Sequence, residues 1–142
     1  MQKLNQSYIN TIVRKALEED LRPRGDITTN LITAKDKIIK AKIIAKQDGV
    51  IAGLDFCKTA FKLIGKESVF TKKISDGKKI KKKKVIAIIK AKKKTILTAE
   101  RTALNFLNHA SGIATLTNQF VKKISKKTKI CCTRKTTPNL RT

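Results

Sequence analysis

Carboxylates are scarce in this chain. Ten aspartates and glutamates stand against 34 lysines and arginines, a formal charge of +24 over 142 residues, and nothing among them supplies a carboxylate pair for acid and base work. Histidine occurs once, at His109, and cysteine three times, without a Cys-x-x-Cys spacing. These residues therefore build no zinc site. Three cysteines cannot all pair within one chain, and Cys131 and Cys132 are too close in sequence for an ordinary bridge. A reducing, cytoplasmic compartment is expected. No apolar run approaches the roughly 20 residues that span a bilayer, and the chain begins with polar Gln2, Lys3 and Asn5 rather than an export leader. A membrane partner is not expected. A Ser-His-Asp set and a glycine-rich phosphate loop are missing as well.

Aromatic residues are also few, at 4%. That bears on the excess of positive charge, whose first reading is a nucleic-acid partner held through phosphate neutralisation. All but six of the basic residues are lysine, and no aromatic interleaves the runs Lys78-Lys79, Lys81 to Lys84 and Lys92 to Lys94. Nucleic-acid recognition leans on bidentate arginine and stacked aromatics. Lysine decorating solvent faces is the preferred reading, with a basic nucleic-acid-binding module as the alternative.

What is present is a patterned globular chain, 40% hydrophobic and long enough for one packed core. Leu4, Tyr8, Ile9, Ile12, Val13, Ala16 and Leu17 fall at helical spacing and predict an amphipathic first helix, ended by Pro23 and Gly25. Asp26-Ile27-Thr28-Thr29 reads as turn chemistry. Lys37 to Lys46 reads as a strand of undecided face, Gly49 to Gly53 as a second, and Phe56, Cys57, Ala60, Phe61 and Ile64 as a helix stopped by Gly65. Cys57 belongs to that helix's apolar face and is read as core rather than nucleophile. Val69 to Ile74, Ser75-Asp76-Gly77 and Val85 to Ile89 form a strand, turn and strand pattern. The fold class is α+β, with a mainly antiparallel sheet.

Thr98 to Lys123 reads as one helix, or two joined near Gly112, with Thr98 as its N-cap. Its seam is Ala103, Leu107, Ala110, Ala114, Val121 and Ile124. Arg101, Asn105 and Asn108 recur at i, i+4 and i+7 as a polar stripe. Lys129 to Thr133 reads as a buried strand that delivers Arg134 and Lys135 at its carboxyl end. Such a strand needs a partner, so a second domain is expected beyond residue 142. Arginine forks and a mobile lysine suit a small anion rich in carboxylate or phosphate oxygens. The competing reading is a solvated helix surface and strand end, and a lone helical histidine such as His109 is ordinarily structural.

Two longer motifs change that balance. Leu97-Thr98-Ala99-Glu100-Arg101-Thr102-Ala103-Leu104-Asn105-Phe106-Leu107, continued by Ser111-Gly112-Ile113-Ala114-Thr115, and the run Thr133-Arg134-Lys135-Thr136-Thr137-Pro138-Asn139-Leu140-Arg141 resemble the long-helix and first-barrel-strand motifs of the quinolinate phosphoribosyltransferases. Weaker matches lie at Asp76-Gly77, Gly49 to Gly53, Glu19-Asp20-Leu21 and Gly25 to Thr29. The resemblance implies an N-terminal α/β sandwich over residues 1–112, including the start of the long helix, and the first strand of a truncated α/β barrel over 113–142. It implies conversion of quinolinate and phosphoribosyl pyrophosphate to nicotinate mononucleotide, pyrophosphate and carbon dioxide, with Mg2+ ligands in the missing barrel. It further implies a homodimer in which Arg101 holds a quinolinate carboxylate in the partner's site. Thr133, Arg134 and Lys135 would line the pocket of their own subunit, Lys135 as the catalytic group. A related protein of the molybdenum-transport-associated type is the alternative within the fold. The sequence departs from the family at Cys132, where Asp is usual, at Asn139, where Gly is usual, and at Lys83 and Lys90, which replace glycines. Without the later barrel, this stretch alone is not expected to catalyse the reaction.

Overall fold

The computed structural model describes residues 4–33, 36–124, 127–131 and 133. Among these residues four helices and five strands run in the order α1 (Gln6–Leu21), α2 (Ile27–Ile32), β1 (Ile38–Ile44), β2 (Gly49–Val50), α3 (Leu54–Ile64), β3 (Val69–Lys72), β4 (Lys79–Ile80), β5 (Val85–Lys92) and α4 (Lys93–Lys123). The architecture is α+β with antiparallel sheet, as the pattern of runs predicts. Three strands lie in the order β1-β5-β3, and β2 with β4 makes a separate antiparallel pair.

Register decides the face that alternation alone left open on β1. Ala41 sits opposite Ile89, which sits opposite Phe70 on the other side. That rung points into the core, where Ile89 is fully buried. One residue along, Lys40, Lys90 and Val69 form the next rung and face solvent, because successive side chains alternate across a sheet. Lys90 therefore stands where a side chain is free to project.

Helices α1, α3 and α4 supply the rest of the core. Ile9, Val13 and Leu17 of α1 are buried with Leu54, Cys57, Ala60 and Phe61 of α3 and Ile96, Ala99, Ala103 and Leu107 of α4. Of the predicted α1 stripe, Leu4 is exposed. Gly53 begins α3 at φ +92°, and a Cβ there would come within 3.1 Å of Phe106 O and Ala110 Cβ. Only glycine serves both needs, so α3 and α4 approach closely at this point. Gly53 has no side chain to cap α3, and Asp76 does so from afar: the amides of Gly53 and Leu54 donate to its two carboxylate oxygens at 3.3 and 3.2 Å.

Several expectations need correcting. Strands β3 and β5 pair as the hairpin pattern predicts, but their link contains β4, and the Asp76-Gly77 turn serves α3 rather than a tight hairpin. Asp26 to Thr29 is the start of a helix: Asp26 Oδ1 accepts from the Thr29 amide at 2.9 Å. The same short acceptor that makes a turn also caps a helix, and only the conformation of the next residues distinguishes them. The region Gly49 to Gly53 contributes just two strand residues. Finally, Lys129, Ile130, Cys131 and Thr133 are exposed and in no strand. No described strand pairs with them, and a buried strand needs such pairing to satisfy its backbone.

Candidate functional site

The site is built on α4, and α4 begins earlier than its sequence suggests. Strand β5 runs directly into the helix at Lys93, and the cap residue Lys92 makes no side-chain cap. Instead the Lys94 amide donates to Asp36 Oδ1 at 3.0 Å, and the Lys93 amide to Lys37 O at 2.9 Å. Two orphan amides of the first turn are thus satisfied by the segment entering β1. Thr98 is consequently not the N-cap. It lies inside the helix, and its hydroxyl donates to Asp26 Oδ2 at 2.8 Å. The helix continues through Gly112 unbroken to Lys123, so Arg101 stands more than two turns inside it.

Arg101, Asn105 and Asn108 are all exposed, as the stripe predicts. The structure divides them. Arg101 and Asn105 share a cleft of about 610 Å3 between α4 and the end of α1, with Asp20, Arg22 and His109 on its walls. Asn108 turns instead to a larger groove of about 730 Å3 between β1 and α4, lined mainly by apolar side chains such as Ile43, Val50 and Leu104.

In the first cleft Arg101 Nη1 donates to Asp20 Oδ1 at 3.0 Å, and the Thr102 hydroxyl donates to Asp20 Oδ2 at 3.4 Å. The Arg101 side chain stays 75% exposed while Asp20 is 19% exposed. Among the described residues its five guanidinium N–H donors have one carboxylate oxygen between them, which leaves donors available to an incoming anion. The Thr29 hydroxyl and amide hold the nearby Asp26 carboxyl below its ordinary pKa, with smaller contributions from Thr98 and the Arg101 charge. Two anchored carboxylates therefore lie around one exposed guanidinium.

A second set of contacts fixes the far half of α4. The Val50 amide donates to Thr115 Oγ1 at 2.9 Å, and the Ala52 amide to Ser111 Oγ at 3.0 Å, while Ser111 Oγ donates back to Ala52 O at 3.1 Å. Helix hydroxyls thus take the place of a neighbouring strand along β2. Gly49 permits this, since a Cβ there would lie 2.8 Å from Thr115 Oγ1.

Of the other predicted residues, Thr133 is exposed and lines neither cavity, and Arg134 and Lys135 lie outside the described residues. Cys57 is core: burial pushes its thiol up to about 12, which leaves it protonated and inert. The sequence touched Asp20 only through the weak Glu19-Asp20-Leu21 match, because its partner on α4 is 81 residues away; Arg22 carried no signal.

The family model for the quinolinate phosphoribosyl transferase N-terminal domain matches residues 26–111, more than half of the chain. The chain belongs to the quinolinate phosphoribosyltransferase family. The model for that family's C-terminal domain matches residues 113–142. A probable carboxylating nicotinate-nucleotide pyrophosphorylase of Methanocaldococcus jannaschii is 41% identical over 137 residues, covering 94% of this chain and 46% of that protein. The carboxylating nicotinate-nucleotide pyrophosphorylase of Mycobacterium leprae is 36% identical over 134 residues, covering 91% and 46%. Among solved structures, NadC from Streptococcus pyogenes superposes with a TM-score of 0.93 at 35% identity, covering 99% of this chain and 50% of that one. The chain spans about half the length of the relatives it matches.

Proposed function

We propose that the whole protein of this family member joins quinolinate to the ribosyl group of phosphoribosyl pyrophosphate, releasing pyrophosphate and carbon dioxide and forming nicotinate mononucleotide in NAD biosynthesis. The observation that carries this reading is Arg101, held on α4 by one carboxylate anchor while its side chain stays largely exposed. Quinolinate has two adjacent carboxylates, and a guanidinium edge binds one of them with charge-assisted hydrogen bonds. An electropositive setting also stabilises the charge that builds as carbon dioxide leaves. Loss of pyrophosphate proceeds through a cationic ribosyl centre, so positioning and electrostatics suffice without a protein nucleophile.

In this reading the protein is a cytoplasmic homodimer, and Arg101 works in the partner's site. Thr133, Arg134 and Lys135 line their own subunit's pocket, Lys135 as the catalytic group, and the boundary between sandwich and barrel falls near residue 112. Mg2+ would accompany phosphoribosyl pyrophosphate. In this reading its ligands lie in the barrel half of the family's length; among the described residues no group of three or more His, Cys, Asp or Glu could hold a metal ion. No helix among the described residues is long and apolar enough to cross a membrane.

The test is carbon dioxide release from carboxyl-labelled quinolinate by the full-length protein. Losing a charge-assisted contact worth about 1.5–3 kcal/mol should lower kcat/KM about 10- to 100-fold in Arg101→Ala. Lys135→Ala should be lower still. Mixing the two impaired variants under subunit exchange should restore about a quarter of the wild-type rate, since half of the dimers are then hybrids with one intact site. Normal rates in both single variants overturn the assignment. Impaired variants that regain nothing on mixing place Arg101 in its own subunit's site instead.

A further inference from the structure

We infer that Asp20 is the positioning residue for Arg101. The inference rests on the reading that Arg101 binds a substrate carboxylate, and it adds the group that aims it.

The two ends of the ion pair are unequal in the way an anchor and its load are unequal. Asp20 is 19% exposed and Arg101 is 75% exposed. Both Asp20 oxygens are engaged by neighbouring residues of one helix: Oδ1 by Arg101 Nη1 at 3.0 Å and Oδ2 by the Thr102 hydroxyl at 3.4 Å. Thr102 itself is buried, so the carboxylate is located against α4 by a fixed group and the guanidinium is located by the carboxylate. A flexible arginine loses several rotatable bonds of freedom on binding a ligand. Holding one of its nitrogens beforehand removes part of that loss while leaving the opposite edge of the fork open.

Local energetics do not explain why an acid sits there. Asp20 is in the last turn of α1, where the backbone carbonyls already concentrate negative charge and a basic residue is favoured. Glu18 and Glu19 precede it, and that turn holds no basic residue. The position is therefore locally unfavourable and is offset only across the fold, by α4. A conflict between local preference and tertiary role is expected where a residue serves a site. The pair's worth as a stability device is small, because an exposed arginine partner is screened by solvent.

Packing fixes the distance that the pair needs. Val13 and Leu17 of α1 and Ala99 and Ala103 of α4 are buried in one cluster, so the Asp20 and Arg101 backbones are held by the core rather than by the ion pair itself. Removing the carboxylate charge should then free the guanidinium without loosening the helices.

Nuclear magnetic resonance of the Arg101 guanidinium in this chain tests the anchor directly. Wild type and Asp20→Glu should show an ordered Nε–H and slow rotation about the Cζ–Nη bonds. Asp20→Asn should show order and rotation matching an exposed arginine such as Arg14, with the thermal midpoint shifted by no more than about 2 °C. Equal Arg101 mobility in wild type and Asp20→Asn overturns the inference. In the full-length protein, Asp20→Asn should raise KM for quinolinate about 5- to 10-fold with kcat changed less than twofold, and should add nothing in an Arg101→Ala background. Additive effects in that cycle also overturn it. If Arg101→Ala leaves KM unchanged while the resonance result holds, the anchor stands and the substrate role of Arg101 is what fails.

Discussion

At the residue scale, charge and backbone geometry act in different places. Arg101 sits among carboxylates drawn from the ends of α1 and the loop before α2, so a chain poor in acids spends two of its ten around one arginine. Lys83 presents the opposite case. The family resemblance implies a glycine at this position, and the structure holds the lysine at φ +68°, the left-handed region that strains an L side chain by about 1–2 kcal/mol. Its amide bonds Ala45 O at 2.8 Å, and that bond keeps the conformation. Lys83→Gly should relieve the strain, partly offset by the greater freedom of glycine in the unfolded chain, for a net gain of about 0.5–1 kcal/mol. Urea denaturation checks this as a rise in midpoint at unchanged slope. The departure at Lys83 was legible in the sequence; its φ was not, because lysine gives no sign of a forced left-handed turn.

At the element scale, capping residues decide where helices begin, and several of them are remote. Asp36 caps α4 and Asp76 caps α3, each from a different part of the chain. Sequence patterning found the helical stripes of α1 and α3 and the polar stripe of α4 because those arise from a 3.6-residue period. It placed the start of α4 at Thr98, since a local scan finds a nearby threonine and not an aspartate 58 residues away. The α4 to β2 contact has the same character. Gly49→Ala would drive a Cβ to 2.8 Å from Thr115 Oγ1 and should destabilise by about 1–3 kcal/mol. Thr115→Ala should cost about 1–2 kcal/mol by stripping the Val50 amide of its acceptor. The double variant should be more stable than the sum of the two losses predicts, because the clash needs both groups. Thermal unfolding of the four proteins measures this coupling, and strict additivity would show that the two groups do not meet so closely.

At the scale of the whole molecule, lysines mark the solvent surface. Lys40 and Lys90 lie directly opposite each other on the outer sheet face, and like charges so placed repel. Among the described residues three ion pairs fall within 4 Å, those of Lys72, Lys81 and Arg101 with Asp55, Asp48 and Asp20. They cannot neutralise an excess of +24. Raising sodium chloride to about 0.5 M, where the screening length is only a few ångströms, should therefore raise the thermal midpoint. A midpoint that falls with salt would mean that attractive pairs outweigh this repulsion. The sequence by itself determined the family, the α+β class, the helical stripes and Arg101 as the residue to watch, because motif identity and periodicity are carried by residues close together in the chain. The tertiary structure alone decided the face of β1, the true start of α4 and the anchoring of Arg101 by Asp20. Each of these depends on which distant segments meet, and that is set by how the helices and sheet close over a common core.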